Sequence, residues 1–166
     1  MLETIKSMLK GNQIKDIFTV GFTDISNGVV EYHSMLQWLY FEFEGCLIEF
    51  ESVEQLSKLQ FRFVDSINIR FDVDDDMMIT KSSVLNIVLT GGEYMGSKDI
   101  KKFSFANMQN ETNCIICDAL RIVLSNENML FLDPTFLHGI SIGGAEKEDF
   151  WKQNYSSDFN FVDVEI

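Results

Sequence analysis

The chain has 166 residues, 46% of them hydrophobic and 13% aromatic, including 15 Phe. A chain of this length buries roughly two thirds of its unfolded surface without help from metals or disulfides, and this composition excludes a disordered polymer. Its formal charge of −13 repels nucleic-acid phosphates and anionic membrane surfaces, so neither is an expected partner, whereas a cationic protein is.

No repeat or low-complexity linker divides residues 1–166, which read as a single domain. Leu2, Ile5, Met8 and Leu9 recur at helical spacing before Gly11, predicting a short amphipathic helix over residues 2–10. Glu3, Lys6 and Lys10 break any signal-peptide core, and no apolar run is long enough to cross a membrane. With three cysteines, an odd number, a reduced cytoplasmic protein is expected. The Asn110-Glu111-Thr112 and Asn154-Tyr155-Ser156 sequons then carry no meaning for glycosylation. Ile17 to Thr23 reads as a strand and Ser26-Asn27-Gly28 as a turn, while residues 29–37 fit helix or strand equally.

The clearest pattern runs from Trp38 to Asp76. Placing Gly45-Cys46 at the tip of a two-residue hairpin sets Phe43 against Ile48 and Phe41 against Phe50 on one face, and Glu42 against Glu49 on the other. Glycine at the first central position suits a type II′ turn, but two like charges are left directly opposed. Leu59, Phe61 and Phe63 then alternate with polar residues, and Ile67, Ile69, Phe71 and Val73 continue the parity. This predicts either a second hairpin about Val64-Asp65-Ser66 or one long strand bulged near Asp65.

Beyond Asp76 the apolar segments are short: residues 84–89, 103–108, 114–117, 120–124, 129–132 and 136–142. Turn-like sequences separate them, among them Gly91-Gly92, Asp133-Pro134 and Gly143-Gly144. A helical turn or two over residues 145–152 and a last strand ending at Ile166 complete a mainly β (α+β) fold, an antiparallel meander or sandwich with few helices.

No catalytic or metal-binding constellation emerges, so a non-enzyme without cofactor or metal is expected. Asp72-Val73-Asp74-Asp75-Asp76 begins like a calcium loop, yet Met77 and Ser83 stand where glycine and a bidentate glutamate are needed. Cys114 and Cys117 have C-x-x-C spacing but no second pair, and strand alternation would turn them to opposite faces. Cys46 is expected to be exposed at the hairpin tip. His33 and His138 have no partner at a diagnostic spacing, and the two Gly-Gly pairs lack a phosphate loop's Lys and Ser/Thr.

The feature left is an acidic strand face: Glu42, Glu44, Glu49 and Glu51, with Asp72 and Asp74 further on and Trp38 and Tyr40 as aromatic anchors. Arg62 and Arg70 occupy the equivalent polar face and are available to neutralise it. The segments Leu39-Tyr40-Phe41-Glu42-Phe43-Glu44-Gly45, Leu59-Gln60-Phe61-Arg62-Phe63-Val64-Asp65 and Asn113 to Leu124, about a third of a small acidic chain, resemble in general type the immunity proteins of bacterial polymorphic-toxin and contact-dependent growth inhibition systems. The resemblance implies a stoichiometric inhibitor of a cognate toxin domain, often a nuclease. The alternative is a β module whose aromatics line a pocket for a small ligand.

Overall fold

The computed structural model describes residues 1–26, 28–68, 70–90, 97–136, 139–155 and 158–166. Its elements in chain order are α1 (Leu2–Leu9), β1 (Asp16–Ser26), β2 (Val29–Phe43), β3 (Cys46–Val53), β4 (Lys58–Val64), β5 (Met78–Ser83), α2 (Leu85–Thr90), β6 (Ile100–Ala106), β7 (Gln109–Asn110), β8 (Ile115–Cys117), β9 (Ala119–Leu124), β10 (Met129–Phe136), β11 (Gly139–Gly143), α3 (Ala145–Asn154) and β12 (Phe161–Glu165). The protein is mainly β, as expected. Residues 29–37, open between helix and strand in the sequence, extend β2.

Two antiparallel sheets, ordered β5-β1-β2-β3-β4-β8-β7 and β11-β10-β9-β6-β12, share one apolar core. Alternate residues of each strand point inward, so Phe41, Phe50 and Phe61 of the larger sheet meet Phe103 and Phe105 of the smaller. Phe61 stands edge-on to both of these rings at 5.9 and 5.7 Å, a favourable aromatic arrangement. Ile5 and Leu9 of α1 are buried in the same cluster, consistent with their helical spacing.

The β2–β3 hairpin turns one residue earlier than Gly45-Cys46. Phe43 pairs with Cys46, Phe41 with Ile48 and Tyr40 with Glu49, leaving Glu44-Gly45 as the loop. Gly45 takes φ 70°, a left-handed conformation that costs glycine no Cβ clash. Moving the loop by one residue shifts every cross-strand pair yet preserves each residue's face. The inward Phe41, Phe43, Ile48 and Phe50 are therefore where the alternation puts them, but Glu42 opposes Leu47 and no like-charge pair with Glu49 exists.

Residues 65–68 and 70–77 form no strand, correcting the expectation of a second hairpin or a long bulged strand. β4 and β5 lie four positions apart in the sheet order, and the chain between them crosses the outer face of the larger sheet as a strap. Ile67 and Phe71 point down onto Phe18, Val20, Trp38 and Tyr40, and Phe71 stacks on Trp38 at 5.9 Å. The alternating pattern thus reports one apolar side without reporting a strand ladder.

Residues 85–90 are helix α2 rather than a strand, with Leu85 and Leu89, one turn apart, on the buried side. Asp133-Pro134 is not a turn. It sits inside β10 at a register irregularity, where proline's missing N–H removes no regular ladder bond. Gly143 ends β11 and Gly144 caps α3, so this pair does link strand to helix. Gly91-Gly92 lies outside the described residues.

Candidate functional site

Glu49 is the centre of the acidic face, and it is fully buried. The β3–β4 register sets Arg62 directly across from it, while the strap lowers Arg70 from above. Arg62 Nε donates to Glu49 Oε1 at 2.6 Å, Arg70 Nη2 to the same oxygen at 3.0 Å, and Tyr40 Oη to Oε2 at 2.7 Å. Glu51 accepts from Arg62 Nη2 at 3.1 Å and from Arg70 Nη1, and its side chain is only 14% exposed. Two carboxylates thus meet two guanidiniums and a phenol in a charge-balanced network. Burial and the hydrogen bond to Glu49 push the Tyr40 hydroxyl well above its ordinary value, so it stays a donor. Burial opposes the charge of Arg62, but its bonds to Glu51 and Glu49 outweigh that and raise its pKa.

This network redistributes the residues expected to meet a partner. Trp38, Tyr40 and Glu49 lie beneath the strap and present nothing to solvent, and Glu51 is committed to both arginines. The physical reason is that the chain from β4 to β5 runs over this face, with Ile67 and Phe71 packed on its apolar floor. Glu44, at the hairpin tip, pairs with Lys15, and Glu42 is half-buried beside it. Asp72 and Asp74 remain exposed on the strap, with Asp75 and Asp76 next to them, and none of the four forms an ion pair among the described residues.

Asp118 and Glu148, also buried, are structural. Asp118 accepts from Lys58, from Tyr155 and from Asn107 Nδ2 at 2.7 Å, tying β4 and the β8–β9 junction to the end of α3. Glu148 accepts from Arg121 Nε at 2.8 Å and pairs with Lys152 at 2.6 Å. Burial raises both carboxyl pKa values, but the donors around each outweigh it and hold both below the usual carboxylate value.

The exposed apolar surface lies elsewhere, at the far end of the β1–β2 pair. A register irregularity between Thr19 and Gly21 marks its base, where a Cβ on Gly21 would fall 2.0 Å from the His33 carbonyl oxygen. Beyond it Ile25 pairs with Val30, and Thr23 lies between Tyr32 and Met78. Alternation puts Ile25, Val30, Tyr32 and Met78 on one face, and all four are exposed, Val30 at 64% and Met78 at 63%. Ile79 and Val29, also exposed, point to the opposite face. The acids Asp72 and Asp74–Asp76 precede Met78 in the chain, with Met77 between.

His33 stacks on Phe22 at 5.0 Å in this same end, with Glu31 3.9 Å away, and forms no catalytic pair; His138 lies outside the described residues. Cys46 is half-buried against the core instead of exposed at a tip, and burial raises its thiol pKa. Cys117 is buried and Cys114 half-buried, and no cluster of three or more His, Cys, Asp or Glu able to hold a metal occurs among the described residues. No helix among them is long and apolar enough to cross a membrane. Comparison with protein-family models, with curated proteins and with solved structures finds no match.

The apolar end escapes sequence reading because Val29-Val30 places one side chain on each face and breaks the alternation that marks a half-buried strand. The available signal is Ile25, Val30 and Tyr32 at the same parity about the Gly28 turn.

Proposed function

We propose that the chain is a non-catalytic protein-binding module of the immunity-protein type, neutralising a cationic toxin domain by covering it. The observation carrying this reading is that Ile25, Val30, Tyr32 and Met78 form an exposed apolar face on one side of the β5-β1-β2 end, while the strap leading into β5 carries Asp72 and Asp74–Asp76, exposed and in no ion pair among the described residues. Monomeric proteins rarely leave such patches bare, and an apolar centre with a charged margin is how protein interfaces are built. The acids steer a basic partner and the apolar residues hold it. The contact surface is accordingly the strap and the β5-β1-β2 end, in place of the hairpin's Glu49 and Glu51. Titration calorimetry against the basic protein encoded beside this chain tests it. Binding should weaken about tenfold or more from low to high salt and on Val30→Glu. Absence of binding, or binding indifferent to both, removes the reading.

A second reading, small-ligand binding, is favoured by a cavity of about 830 Å³ lined by Leu36, Val88, Leu89, Leu130, Ile140 and Ile142. Its test is ligand-dependent thermal shift across a set of apolar metabolites, with no shift counting against it.

A further inference from the structure

β5 is one edge of the larger sheet. It pairs with β1 from Phe18↔Ser83 to Thr23↔Met78, and among the described residues no strand pairs with its other side. Such an edge offers a row of free N–H and C=O groups, which natural sheets blunt with charge, proline or a covering segment. The only charge on β5 is Lys81, and it is drawn over the Phe18 ring, 4.0 Å from the centroid. Met78 and Ile79 meanwhile face water on opposite sides of the sheet. Next to Ile79, on the outer face, lies a cavity of about 560 Å³ walled by Phe18, Val20, Leu47 and Ile67, with Glu42, Thr80 and Lys81, the last drawn onto Phe18, also lining it. Asp74, Asp75 and Asp76 precede the strand, separated from it by Met77.

An open backbone edge, an apolar cavity beside it and a block of negative charge at its end are the three parts of strand-addition recognition. Main-chain bonds supply affinity, and alternate side chains supply selectivity. We infer that β5 accepts an extended basic-apolar segment of the partner as an added strand, one apolar side chain seated beside Ile79 and a lysine or arginine reaching Asp74–Asp76. This rests on the partner-binding reading and specifies its mode. A second copy of the chain is the poorer occupant, because each copy carries a net charge of −13.

The test uses a short labelled peptide of alternating isoleucine and lysine, and two twins N-methylated at every second backbone amide in opposite parities. Fluorescence anisotropy should show binding that one twin loses by about tenfold or more, and the same loss on Ile79→Lys. Amide exchange at β5 should slow in the complex. Ile79 is exposed, so the variant should keep its Tm. Equal binding by all three peptides, or no binding, overturns strand addition. A dimer of the chain alone that Ile79→Lys dissolves gives the edge to a second copy and also overturns it. The parent reading fails separately: if the intact basic partner binds Ile79→Lys unchanged, the surface stands and the strand mode falls. If the peptide binds while no basic protein does, the edge site stands and the toxin assignment falls.

Discussion

The outer face of the seven-stranded sheet handles acid in two opposite ways. In its middle, Glu49 and Glu51 are enclosed by Arg62, Arg70 and Tyr40, and at its β5 end Asp72 and Asp74–Asp76 stand in solvent with no ion pair among the described residues. The difference lies in what crosses overhead. A carboxylate under the strap loses its water and must be paired, since an unpaired buried charge costs several kcal/mol. A carboxylate on the strap's outer side keeps its water and retains its field for a partner. Of the acids that the sequence sets on one face, Glu49 and Glu51 are thus spent on folding, while Asp72 and Asp74 stay in solvent.

Glu49→Ala breaks the contrast most severely. It leaves Arg62 and Arg70 to share Glu51 and should destabilise the protein by about 3 kcal/mol in urea unfolding. Phe71→Ala loosens the strap while leaving the ion network composed as before. Because Phe71 is half-buried, about 1–2 kcal/mol is expected, less than for a core phenylalanine, with Trp38 fluorescence shifting toward the red. Acid titration gives a smaller and graded effect. Asp118 and Glu148 have native pKa values below those of the unfolded chain, so their contribution is complete above the ordinary carboxylate range and is lost as pH falls through the lowered native values. Asp118→Asn should flatten that acid slope in Tm measured against pH. Smallest for stability are Ile25→Lys and Val30→Lys at the exposed end, each within about 0.5 kcal/mol of the parent in the same urea measurement. A large loss of stability from either would mean that this face is packed, ending its candidacy for binding.

Parity and pairing were unequally legible. Which residues face the core follows from alternation alone, and Phe41, Phe43, Ile48 and Phe50 obey it despite the misplaced turn. Pairing depends on which residues form the loop, and Glu44-Gly45 and Gly45-Cys46 both satisfy the hydrophobic pattern because they differ by a shift that keeps every face. The strap was unreadable for a similar reason. Ile67 and Phe71 lie on an apolar floor, so they carry the same signature as a strand's buried side. Arg62 and Arg70 were visible as possible counter-ions, but that they close over Glu49 depends on where the strap runs, and that path is set by β5 pairing with β1. For α2, a six-residue apolar segment carries too little periodicity to separate helix from strand.

The route of the strap also bears on the order of folding. β1 to β4 are joined by short connections, whereas Phe18 meets Ser83 only by closing a loop of about 65 residues. Contacts near in sequence form early and long closures late, so β1 spends part of the folding reaction as a bare edge carrying Phe18 and Val20. Pulse-labelled hydrogen exchange should show β2–β3 amides protected before those of β5. Until the strap lands, the strand that finally borders β5 is itself the exposed edge, and a nascent chain is at its stickiest there.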